Sequence, residues 1–392
     1  MNAALPADGP TLARAMSALS RQFASASEQA RTLAPELVGE LWSSGLMQWM
    51  NPREAGGQEP SFREMIDTWQ EMATQDGSFG WIGIANLPSA AFAAAYLPEA
   101  GFAEVFGAHG NHVTLGGQFA PNGLGTRVEG GYRVSGAWNF GSGTGHSEYV
   151  VAGFIPMLDG QMPMADNGLP EMFVAVLPRE EITFTDGWHV QGLKGTGSYD
   201  YNLQEVFVPD HRVFPLFTRA PLRGESVAYR FGIMPVTAAG HAAWALGVAR
   251  SCLDDVRELA QSKIRMGDMT TLAHKPTFQR GLAHHEGMWR AARLLVTDTF
   301  GRLEDAVAAG AEVTPAMRAE MRVAATYATE ACREVVQWAH LSAGTTAIRE
   351  GSRLERAFRD MYTGTQHAFI SEKTYIDAAQ VMLGVAADSP AL

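Results

Sequence analysis

Tyr132-Arg133-Val134-Ser135-Gly136-Ala137-Trp138-Asn139-Phe140-Gly141-Ser142-Gly143-Thr144-Gly145-His146 is the stretch on which the fold turns. Its first half is built of β-branched and aromatic residues, its second half of glycine and small polar residues, and the doublet Gly130-Gly131 stands before it as a hairpin-turn signal. Similar short runs follow at Tyr149 to Ile155, Met172 to Leu177 and Leu203 to Val208, separated by Gly, Pro, Asn and Asp. Residues 113–215 are therefore expected to form a central antiparallel β domain, a barrel or sandwich.

Outward from this block the period changes to that of helices. Upstream, Leu12, Met16, Leu19, Phe23, Leu37, Leu41 and Leu46 recur at helical steps until Pro52 and Gly56-Gly57 break the pattern. Ser61 with Glu64 three residues on is a capping box for a second stretch through Met65, Trp69 and Met72. Downstream, Ala242 to Ile264 and Phe278 to Ala309 carry apolar stripes. Gly310 closes the second of these, and Thr314-Pro315 opens a helix running to about His340. A last helix covers Leu354 to about Gln366. The expected organisation is an N-terminal helical domain over 1–112, the β domain over 113–215 and a C-terminal four-helix bundle over 225–392.

Composition narrows the function classes. The chain has 392 residues, 46% hydrophobic and 18% charged, which is ordinary for a globular protein with a large core. A net charge of -12 argues against nucleic acid or an anionic membrane as partner. No apolar run reaches bilayer-spanning length and the N-terminus has no targeting pattern, so a cytoplasmic location is expected. Cys252 and Cys332 fall in helical stretches and read as buried free thiols. His284-His285-Glu286 is read as no metal site, because adjacent helical residues point to different faces. No Gly-x-Ser-x-Gly elbow supports a hydrolase. Trp244, Trp289 and Trp338 lie in helical stretches and read as core.

Four stretches go further. They are Asn51-Pro52-Arg53-Glu54-Ala55-Gly56-Gly57; Trp138 to His146; Trp188-His189-Val190-Gln191-Gly192-Leu193-Lys194-Gly195-Thr196-Gly197-Ser198-Tyr199-Asp200, followed by Val206-Phe207-Val208-Pro209; and Arg356-Ala357-Phe358-Arg359-Asp360 through to His367. With the α, β, α order they resemble the acyl-CoA dehydrogenase superfamily over nearly the whole chain, and within it the two-component flavin monooxygenases that hydroxylate aromatic compounds. That resemblance implies the acyl-CoA dehydrogenase-like fold and a homotetramer. It implies reduced FMN or FAD supplied by a separate flavin reductase, in keeping with the lack of a nicotinamide fingerprint. The implied reaction is hydroxylation of an aromatic or polycyclic small molecule through a C4a-hydroperoxyflavin.

The same resemblance assigns roles to residues. Ser142 takes the position whose hydroxyl bonds the flavin N5, Trp138 and Phe140 lie beside the ring, and Thr196 and Ser198 line the cavity. Arg280 reaches the flavin phosphate of a neighbouring subunit, where a guanidinium fork pairs well. His146 and His367 face the substrate. His367 also separates the reaction classes. Acyl-CoA desaturation needs a placed carboxylate base, and no Asp or Glu occurs between Asp360 and Glu372. A neutral imidazole suits a phenol instead. The alternative is an FAD-dependent acyl-CoA dehydrogenase drawing its base from the region of Glu350 or Glu355.

Overall fold

The computed structural model describes residues 7–165, 168–185, 188–389 and 391–392. The chain opens with helices α1 (Gly9–Ala15), α2 (Ser17–Ala30), α3 (Pro35–Ser43), α4 (Phe62–Gln75), α5 (Gly77–Tyr96) and α6 (Glu99–Val105). The capping box at α4 forms as expected, with the Ser61 hydroxyl accepting the Glu64 N–H and the Glu64 carboxylate accepting the Ser61 N–H. Asp76 caps α5 in turn, its carboxylate accepting the Phe79 N–H at 3.0 Å.

Among the described residues seven strands follow: β1 (Leu115–Val128), β2 (Gly131–Gly141), β3 (Tyr149–Met157), β4 (Phe173–Pro178), β5 (Thr183–Thr185), β6 (Tyr199–Pro209) and β7 (Val213–Pro215). Gly130 turns the β1–β2 hairpin at φ +77°. The strands make one sheet in the order β5-β6-β2-β1-β3-β4-β7. The antiparallel expectation needs correction, because β1 and β3 run parallel and the sheet is mixed. The segment Ser142–Glu148 carries the chain from β2 past β1 to its far side. Local alternation of residues reports that a segment is a strand but not which neighbour it pairs with.

In β3 the residues alternate between two cores. Tyr149 and Val151 join the large core shared with the helices, while Val150, Ala152 and Phe154 join a second core on the other face. The helical faces of the first core come from α4, α5 and the C-terminal helices.

Those C-terminal helices are α7 (Val227–Phe231), α8 (Ile233–Ser262), α9 (Pro276–Ala308), α10 (Pro315–Ala343), α11 (Arg353–Gly364) and α12 (Glu372–Met382). Thr314 caps α10 and Pro315 occupies its first turn, as read from the sequence. The expected fourth long helix is the short α11, and α12 was not anticipated. Long α8 packs instead between α10 and the N-terminal α4. A Cβ at Gly247 of α8 would lie 2.4 Å from the Gln70 carbonyl oxygen, so glycine permits that close approach. Cys252 and Cys332 are buried and unpaired. Among the described residues no helix is long and apolar enough to cross a membrane.

One interhelical contact titrates. Glu304 of α9 is 7% exposed and both its oxygens accept the Phe62 N–H at 3.0 Å. Burial raises its pKa to about 7, above the ordinary carboxyl value. A raised acid favours the folded state most at low pH, and that stabilisation is lost as pH rises from about 4.5 through about 7. Glu304→Gln should therefore gain stability relative to the parent as pH rises, by about 2–3 kcal/mol at pH 8. Thermal denaturation of both proteins between pH 5 and 8 checks this.

Candidate active site

Trp81, in the second turn of α5, joins the β domain to the helices. Its indole N–H donates to Ser142 Oγ at 3.0 Å. Ser142 Oγ also accepts the Ser198 hydroxyl at 3.0 Å, and Ser198 lies 2.7 Å from Thr196 Oγ1. Thr196 donates onward to the Leu193 carbonyl at 2.8 Å. Ser142 is half-buried, so with two bonds accepted its own O–H remains a donor.

The same indole also adjoins an aromatic cluster. The Trp81 ring centre is 5.0 Å from Trp244, 5.2 Å from His241 and 5.9 Å from His367. The two imidazoles are 4.4 Å apart, and the Phe369 ring is 5.4 Å from His367. The backbone N–H of Phe369 donates to His367 Nδ1 at 3.3 Å, which assigns the proton of the neutral ring to Nε2. Burial, reinforced by the nearby Arg322 charge, pushes the His367 pKa down to about 4. His241 is held well below the usual range by burial, by His367 and by Arg322. Both rings are therefore neutral at pH 7, and His367 offers an N–H donor and a weak base.

The glycine-rich segment and the late-chain segment support each other physically. Leu193, at φ +54°, donates its N–H to Asp360 Oδ1 at 2.6 Å. Asp360 is fully buried, and burial together with neighbouring Asp76 pushes its pKa well above the ordinary carboxyl value. Arg359 donates to the Gln191 carbonyl at 2.7 Å, and Trp188 Nε1 to the Leu193 carbonyl at 3.0 Å. The chain following β5 is thus pinned against α11, which sets Thr196 and Ser198 under Ser142.

Several expected site residues stand elsewhere. Trp138, expected beside the flavin ring, is fully buried, stacks on Tyr201 at 5.4 Å and donates to the Gly153 carbonyl at 3.0 Å. The alternation of β2 turns it to the inner face. His146, expected at the substrate, is bonded within the chain. Its Nε2 bonds Asn86 Oδ1 at 3.2 Å and its Nδ1 bonds Thr32 Oγ1 at 3.3 Å, so both ring nitrogens are taken. Arg280 is exposed on α9 and is not brought to Ser142 within one chain.

Phe140 is 61% exposed and held at φ +63°, its N–H bonded to Asp200 Oδ1 at 2.9 Å and its ring edge-on to Trp188. An exposed aromatic in a strained backbone suits a surface for stacking a planar ring. An isoalloxazine needs a hydroxyl or other donor and a flat apolar face, and the half-buried Ser142 and the exposed Phe140 supply these, with Thr196 and Ser198 buried beneath Ser142.

Gly143 fixes the turn itself. Its φ is +76° and an added Cβ would fall 2.2 Å from Asn86 Nδ2. Asn86 is buried and donates to the Leu115 carbonyl at 2.6 Å. Gly143→Ala should cost about 2–4 kcal/mol of stability, read as a lowered Tm.

Trp81, His241 and Arg322 were not singled out by sequence reasoning, and Asp360 was quoted in the late-chain motif without a role. The imidazole within the Ala-rich stretch of α8 was the one visible signal. The ligand atoms of His284, His285 and Glu334 lie within 4.8 Å of one another, so adjacency on a helix does not keep the two histidines apart as expected. His285 Nδ1 is bonded to the Gly281 carbonyl at 2.7 Å. A concavity of about 740 Å³ beside them is lined by Tyr327, Trp338 and Leu341, and another of about 60 Å³ lies between Arg219 and Arg318, both away from Ser142.

Comparison with known proteins gives a consistent set. Residues 239–372 match the family described as acyl-CoA dehydrogenase, C-terminal domain. An indole-3-acetate monooxygenase of Pseudomonas putida is 28% identical, the match covering 91% of this chain and 89% of the relative. The flavin-dependent monooxygenase oxygenase subunit HsaA of Rhodococcus jostii is also 28% identical, over 89% of this chain and 91% of its own. The solved 3-HSA hydroxylase from Rhodococcus sp. RHA1 superposes with a TM-score of 0.90 at 24% identity, covering 98% of this chain and 99% of that one.

Proposed function

From the chain's similarity to acyl-CoA dehydrogenase-like proteins and to flavin-dependent monooxygenases, we propose that it is the oxygenase component of a two-component flavin-dependent monooxygenase that hydroxylates an aromatic small molecule. The reading rests above all on Trp81, whose N–H bonds Ser142 and whose ring adjoins His367, so that the hydroxyl and the imidazole flank one indole. Reduced FMN or FAD, delivered by a separate reductase, supplies the electrons and activates dioxygen when bound.

The chain's own residues do the rest. Ser142, oriented by Trp81 and Ser198, presents its O–H to a flavin heteroatom. Phe140 offers a stacking face. His367 donates from Nε2 to an oxygen of the substrate and holds it against the reacting face. The aromatic wall of Trp81, Trp244 and Phe369 excludes water. The carboxylates named for the dehydrogenase alternative are placed otherwise: Glu355 is bonded to Arg359 and Glu350 is exposed.

A homotetramer completes the proposal. Exposed Leu294, Tyr327 and Leu341 on α9 and α10 are apolar surface for subunit packing, and Arg280 on the same helices would reach a partner's flavin phosphate. Purified chain supplied with reduced flavin, oxygen and a panel of phenols and indoles should give hydroxylated product. Dye-linked oxidation of an acyl-CoA in place of that product would overturn the reading.

A further inference from the structure

Arg322 of α10 is 4% exposed, yet most of its hydrogen-bonding capacity is unused. Nη2 donates to the Phe369 carbonyl and to Thr374 Oγ1, each at 3.1 Å. Nε and Nη1, which carry three of the five N–H groups, have no partner. The neighbouring carboxylate Asp377 is engaged by Lys373 Nζ at 2.6 and 2.7 Å. A guanidinium taken out of water without an anion is costly, and folded chains seldom keep one unless something pairs with it.

Its surroundings say what that partner is. The guanidinium carbon sits 4.6 Å from the centre of the Phe369 ring, and that ring adjoins both His367 and His241. The cation therefore lies behind the imidazole pair that faces Trp81. A phenol oxygen is satisfied by the single Nε2–H of His367. Three spare N–H groups on a fixed cation match a carboxylate, with its several lone pairs. Resting on the hydroxylase reading of the site, we propose that Arg322 is a substrate-binding residue and that the enzyme takes aromatic substrates bearing a carboxylate, which bonds Arg322 while the ring lies beside His367.

The test is a binding measurement without turnover. The full chain is titrated with indole-3-acetate and with indole-3-acetamide, the same ring with and without the charge, following quenching of tryptophan fluorescence. The carboxylate should bind about tenfold or more tighter than the amide. Arg322→Gln should bring the two within about twofold, chiefly through loss of affinity for the carboxylate, and Arg322→Lys should keep part of the preference. Equal binding of both probes to the parent protein would overturn the proposal, as would a preference that survives in R322Q. Resorcinol binding in the absence of binding by either indole would also overturn it. Should R322Q not fold, the parent comparison and R322K still decide. Failure of the hydroxylase reading is separate: it would appear as no product from any aromatic, whatever the binding preference.

Discussion

His367→Ala is expected to lower the yield of hydroxylated product by about a hundredfold or more, with reduced flavin still consumed and oxygen released mainly as hydrogen peroxide. The side chain is the one imidazole of the cluster whose Nε2–H is set by a backbone bond, the Phe369 N–H on Nδ1. Its loss removes the donor that orients the substrate but leaves the Ser142 side of the site unchanged, so oxygen chemistry and oxygen transfer come apart. The pH profile sharpens the expectation. A folded pKa of about 4 keeps the ring neutral across the working range, so product formation should show no inflection near 6.5 from this group. Because the folded pKa is depressed below the unfolded value, the same histidine withdraws stability as pH falls from about 6.5 towards 4. Product and peroxide quantified per mole of reduced flavin, for parent and variant at several pH values, check both points. An inflection near 6.5 that vanishes in the variant would contradict a neutral donor.

Ser142→Ala carries the second large effect. It removes one oxygen that serves the Trp81 indole and the Ser198 hydroxyl, and with it the donor offered to the flavin. The fraction of reduced flavin converted to product should fall about tenfold or more. Affinity for the aromatic substrate should change little, since the hydrogen bonds of Ser142 run to Trp81 and Ser198 and not to His367. Ser198→Ala, which removes a bond to Ser142 but not Ser142 itself, should fall between parent and S142A. Coupling ratios and substrate binding, measured side by side, separate the two roles. A variant that loses substrate affinity and keeps its coupling would mean that the roles of the two side chains are exchanged.

The parts of this molecule that were legible in sequence are those encoded locally. Ser61 with Glu64, Thr314 with Pro315, and Gly130 before β2 each act through bonds within a few residues, and each forms as read. The acyl-CoA dehydrogenase-like order of helices, sheet and helices followed from such signals. The parallel pairing of β1 with β3 did not, because partner choice depends on where the Ser142–Glu148 crossing deposits the chain. The candidate site shows the same division. Ser142 and His367 were proposed through motifs, whereas Trp81 lies in a helix that is apolar all round and gives one indole no distinguishing period. Arg322 recurs with the polar residues of α10 and reads as solvated until its burial is seen. Trp138 illustrates the converse: its place in a motif suggested a ring contact, while the two-residue period of β2 turns it into the second core.

A crystal structure of the chain soaked with FMN tests the central claim most directly. The isoalloxazine should lie within hydrogen-bonding distance of Ser142 Oγ, with Phe140 against it and with His367 Nε2 facing the space beside its reactive edge. A flavin seated in the α9–α10 concavity, or on the face of the sheet away from Trp81, would contradict the account.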